Sequence, residues 1–149
     1  RKALKPSCWN QYQITEASEL VIFTTDNDSV RSGTVYVRKM FERRGLEPEM
    51  TETYMGVYKN YLEPIESDEL LLQNWTAKQC YIACANMMTY AATLQIDSCP
   101  IEGFDREEVE AILDLPEERS VALMCAFGYR VNPQSEQKRL PMSQIVEYR

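Results

Sequence analysis

The stretch from Ser67 to about Gln95 constrains this chain more than any other. Read as a helix, it carries Ala77, Tyr81, Cys84, Met88 and Ala91 on one stripe and Cys80, Ala83, Met87, Tyr90 and Leu94 on an adjacent one. Apolar side chains therefore cover well over half of its circumference. Ser67 offers an N-cap, and Asp68 and Glu69 complement the first-turn dipole. Such a helix has to be covered on several sides, either at the centre of one core or by packing against a second subunit as well. The 149 residues amount to roughly one domain, enough to bury a core around it.

The elements around this helix alternate. Leu20-Val21-Ile22-Phe23, within Glu19 to Thr25, predicts a buried strand that ends in the polar turn Thr24 to Asp28. From about Ser29 to Arg44 the recurrence of Val30, Val37, Met40 and Phe41 predicts an amphipathic helix that Gly45 stops. A further helix is expected from about Thr51 to Leu62, with Pro64 against its extension. Asp105, with Glu108 three residues on, forms a capping-box-like start to a helix that ends near Leu113, before Leu115-Pro116. Ser120 to Phe127 is almost wholly apolar and reads as a strand buried on both faces, stopped by Gly128. Strands alternating with helices around a long apolar helix imply α+β or α/β.

Charge and composition narrow the function classes. Sixteen basic against twenty-three acidic residues give a net charge of −7, which argues against nucleic acid and anionic membrane as partners. No stretch approaches the ~20 apolar residues of a spanning helix. The absence of histidine argues against Ser-His-Asp and Cys-His catalysis and against ordinary zinc catalysis, so no metal is expected. Cys8, Cys80, Cys84, Cys99 and Cys125 are odd in number with no CxxC spacing, which suits a reducing cytoplasm; Cys80 and Cys84 read as packing. The chain opens at Arg1, in sequence that reads like the middle of a domain. The expectation is a single domain over residues 1–149 that lacks its N-terminal segment.

Cys99-Pro100-Ile101-Glu102-Gly103-Phe104 joins a strand to a helix, and its proline and glycine shape a turn whose N–H groups can face a ligand. Alone it is an ordinary connection. It gains meaning from its setting: Trp9-Asn10-Gln11, Gln13 and Ala17-Ser18 before the first strand, then Trp75 to Gln79, the apolar helix with Asn86, Ile96-Asp97, the turn, Gly128-Tyr129-Arg130 and Lys138-Arg139-Leu140-Pro141. Over essentially its whole length this order resembles the FMN-dependent nitroreductase family.

The resemblance implies an α+β sandwich, a central, mostly antiparallel sheet flanked by helices, dimerised through the long helix with FMN at the interface. It implies that Pro100, Ile101, Glu102 and Gly103 lie beside the isoalloxazine ring, with a backbone N–H near Glu102 and Gly103 meeting flavin N5. Asn10 and Gln13 match positions at the pyrimidine end; some members carry lysine where Gln13 stands. Arg139 matches an arginine at the FMN phosphate, and Lys138 assists it. The family's Arg-Ser-rich phosphate segment is absent. The activity implied is electron transfer from NAD(P)H, as co-substrate, to a nitroaromatic or quinone-type small molecule by a ping-pong mechanism. No side chain is then required as nucleophile or obligatory acid. The alternatives are a dimer that only binds or stores flavin, or binds nothing, without reductase turnover, and a relative with other chemistry, such as dihydropteridine reduction or reductive dehalogenation.

Overall fold

A computed structural model describes residues 1–149. In chain order the elements are α1 (Leu4–Ser7), α2 (Gln13–Glu16), β1 (Glu19–Asp26), α3 (Val35–Glu42), α4 (Pro48–Glu66), α5 (Glu69–Thr93), β2 (Asp97–Ile101), α6 (Arg106–Ile112) and β3 (Arg119–Gly128). A single 3-10 turn, Met142–Gln144, lies in the tail. The strands form one antiparallel sheet in the order β1-β3-β2, and the α+β expectation holds. Pro100 sits opposite Cys125 on the edge strand β2, where a residue without an N–H is tolerated.

The central strand β3 is covered on both faces. Leu4, Cys8, Ile14 and Val109 pack with Val121, Met124 and Ala126 on one face, so α1, α2 and α6 form that layer. Cys84 of α5 packs with Ala122, Leu123 and Cys125 on the other. Ala122 and Leu123 share this second face because the β1–β3 register slips at Phe23/Thr24, where Phe23 pairs with Leu123 but Thr24 with Val121. The bulge adds one residue and lets two neighbours point the same way.

Several boundaries depart from the sequence expectation. The helix expected from Ser29 begins only at Val35, because Asp26 accepts from the Ser29 N–H and Gly33 turns the chain at φ 81° before Thr34 caps the Val37 N–H. The helix expected over Thr51 to Leu62 runs further at both ends. Pro48 occupies its first turn, where no N–H is needed, and Pro64 stands near its end. Ser67 belongs to the end of α4, and Asp68 is the cap of α5, accepting from the Leu70 and Leu71 N–H groups. The start of α6 is as expected, with Asp105 accepting from the Glu108 N–H, and the helix ends at Ile112 with Leu113 as its C-cap. The expectation that α5 is covered on several sides is not met within the chain. Only Leu72, Thr76, Cys84 and Ala91 are buried, while Ile82 and Tyr90 remain 57% and 67% exposed. No helix is long and apolar enough to cross a membrane.

Candidate functional site

The segment from Ser7 to Gln13 and the turn from Glu102 to Asp105 are fastened together. The Asp105 N–H donates to the Ser7 carbonyl at 2.8 Å, and the Gln11 amide donates to the Gly103 carbonyl at 2.7 Å and the Cys8 carbonyl at 3.1 Å. Gln13 extends the relay, donating to Gln11 Oε1 at 3.0 Å, with Cys99 Sγ at 3.7 Å. Trp9 and Asn10 are consecutive residues in the left-handed region, at φ 53° and 56°. That conformation is unfavourable for residues with a Cβ and calls for outside support. Part of the support is the Asn10 N–H, which donates to the Lys5 carbonyl at 3.0 Å.

The turn leaves donors unused. Phe104 N–H donates back to the Glu102 carbonyl at 3.0 Å, but neither the Glu102 nor the Gly103 N–H donates within the chain. Unpaired backbone donors side by side, in a turn held from behind, suit an acceptor atom on a ligand. Tyr81 of α5 lies near the same turn: partial burial, then the neighbouring Glu102 carboxylate, push the phenol up to about 12. The phenol is thus a hydrogen-bonding group at neutral pH, not a base.

An open cleft of about 540 Å³ lies beside this cluster, walled by Tyr12, Gln13, Glu16 and Ala17, by Asp97 to Cys99 and by Ala126 to Asn132. Gln13 and Cys99 belong to both the cleft and the relay. At the far side the Asp97 carboxylate accepts from the Arg130 N–H at 2.9 Å and from its guanidinium Nε at 2.8 Å. The guanidinium, ahead of the backbone bond, holds the Asp97 carboxyl below its usual range. Burial pushes the Cys8 thiol up, and burial followed by Cys84 pushes Cys125 up to about 12, so these thiols stay protonated and unreactive.

Of the residues singled out in the sequence, Asn10, Gln13 and the turn Pro100 to Gly103 thus come together at one end of the sheet, but the Ile101 side chain is buried in the core beside Leu4 and Cys8 and faces no ligand. Lys138 and Arg139 do not join them by any hydrogen bond or ion pair. Both are exposed on the tail, and the Arg139 guanidinium donates only to the Lys138 carbonyl, at 3.2 Å. Trp9 and Gln11 are contacts that sequence reasoning did not count as site residues. A left-handed tryptophan leaves no signal in the sequence, whereas Gln11, two residues from Gln13, was open to suspicion as part of one amide relay.

The Nitroreductase family model matches residues 1–129. Relatives named "Putative NAD(P)H nitroreductase" from Staphylococcus haemolyticus and Haemophilus influenzae are 36% and 33% identical; each match covers 99% of this chain and 72% and 71% of theirs. The fold is also that of a nitroreductase-like protein of Streptococcus mutans, at TM-score 0.82 and 17% identity over 97% of this chain and 69% of that one. A protein of Exiguobacterium sibiricum, solved in complex with FMN, superposes at TM-score 0.78 and 17% identity over 99% of this chain and 70% of that one. With the family model matching most of its length and these relatives at 33% identity or more, this chain belongs to the nitroreductase family.

Proposed function

We propose that this member of the family is an NAD(P)H-dependent oxidoreductase that holds FMN at the Glu102–Gly103 turn and passes electrons to nitroaromatic or quinone-type acceptors. The observation that carries this reading is the pair of unpaired N–H groups at Glu102 and Gly103. They fit the ring end of a flavin, where a donor can hold and tune N5. When bound, FMN supplies the electron chemistry, accepting from NAD(P)H and giving to the second substrate in a ping-pong order.

This chain's own groups bind and orient. The amides of Asn10 and Gln13 would donate to the pyrimidine end of the ring, where negative charge gathers. Gln13 is neutral, so it stabilises that charge less than a lysine would. Lys138 and Arg139 form no ion pair within the chain, which leaves their charge for a phosphate. The Glu102 carboxylate lies near the Tyr81 phenol, and the turn acts through its backbone. The exposed apolar face of α5 around Ile82 and Tyr90 is offered to a second copy of the chain, making a homodimer. Five free thiols suit a reducing, cytoplasmic setting.

Initial rates of NAD(P)H oxidation against a benzoquinone test the proposal. Parallel double-reciprocal lines are expected. Bound flavin without NAD(P)H oxidation would leave only a flavin-holding dimer, and the reductase reading would fall.

A further inference from the structure

We propose that Trp9 is a positioning residue for the Glu102–Gly103 turn, and that residue 103 is glycine in order to admit the Trp9 indole. The inference rests on the reading of this turn as a flavin contact. Glycine at 103 is not explained by backbone conformation, since only Gly33 and Gly45 among the glycines have positive φ. Space explains it. A Cβ on Gly103 would lie 2.7 Å from Trp9 Cε3 and 2.8 Å from Cζ3, and 3.2 Å from Gln11 Nε2. The amide of Gln11 is the end of a flexible side chain and can yield. The indole is the larger obstacle, a rigid ring that has to swing as a whole into another rotamer to clear the site.

The indole is 72% exposed, so burial does not account for its place. Its place is accounted for by the turn, whose two free N–H groups have no partner in the chain to orient them. Orientation has to come from behind, and residues 7–11 supply it three times: the Ser7 carbonyl to the Asp105 N–H, the Gln11 amide to the Gly103 carbonyl, and the Trp9 ring filling the space where a Gly103 side chain would stand. Trp9 therefore sets where the donors point without itself reacting.

The test is a suppressor pair. Gly103→Ala should weaken FMN binding, read by quenching of flavin fluorescence, by about tenfold or more. Adding Trp9→Ala to Gly103→Ala should recover most of that loss. Trp9→Ala alone should speed deuterium exchange of the Phe104 and Asp105 amides, which are hydrogen-bonded in the turn, in flavin-free protein, with the melting curve little changed. A double variant that binds as poorly as Gly103→Ala would show that the cofactor itself demands glycine there, and the proposal would be overturned. Unchanged exchange in Trp9→Ala would overturn it too. If the wild-type chain binds no FMN, the flavin reading fails, and the exchange measurement still decides whether Trp9 holds the turn.

Discussion

The central strand β3 and the helix α5 are about equally apolar in sequence, yet the fold treats them in opposite ways. In β3, Ser120 to Ala126 are all buried, whereas α5 buries four residues of its twenty-five. The strand finds all its partners inside the chain: β1 and β2 at its edges, α1, α2 and α6 on one face, α5 on the other. The helix uses one stripe on the sheet, through Cys84 and its neighbours, and leaves Ile82, Met87, Tyr90 and Leu94 outward. Apolar content alone does not say who the partner is. For β3 it is the fold; for α5 we propose that part of it is a second subunit.

The largest effect is expected where the strand is sealed. Met124 is fully buried, and Met124→Ala should cost about 2–5 kcal/mol in urea unfolding, since the removed contacts leave a cavity. A loss comparable to that of a surface change would break the contrast. Next comes the layer that covers β3 opposite α5. Asp105→Ala removes the cap of α6 and should cost about 1 kcal/mol in the same measurement.

On α5 the balance reverses. Ile82→Glu should change unfolding of the single chain by less than about 0.5 kcal/mol, yet shift sedimentation from dimer to monomer. A monomeric wild type would remove the explanation offered for this face.

The smallest effect lies at the cleft. Arg130 lowers the Asp97 carboxyl, first through its side-chain hydrogen bond, below the usual value of 3.8. The stabilisation is therefore present above that value and lost as pH falls through the lowered one. Asp97→Asn should lower the melting temperature slightly at pH 7, and the gap from wild type should close in acid.

Much of this was legible in the sequence, for local reasons. β1, β3 and α6 follow from apolar runs and from the Asp105 and Glu108 pattern, where local chemistry and tertiary structure agree. The start of α3 was not, because Val30 continues the helical spacing while Asp26 and Gly33 hold a turn. Ser67 and Asp68 are both good caps, and only the structure gives each to its helix. At the candidate site, the turn was legible as a donor loop. The tie from Gln11 to Gly103 spans 92 positions, and the left-handed pair at Trp9 and Asn10 stands at residue types that rarely adopt it, so neither is visible in any local pattern.

The central claim, that the Glu102–Gly103 turn holds a working flavin, is tested most directly by colour. The purified protein, reconstituted with FMN and freed of excess, should be yellow. Under anaerobic conditions NAD(P)H should bleach it, and a quinone should restore the absorbance. A protein that stays colourless after FMN is added, or a yellow one that NAD(P)H does not bleach, would contradict the account.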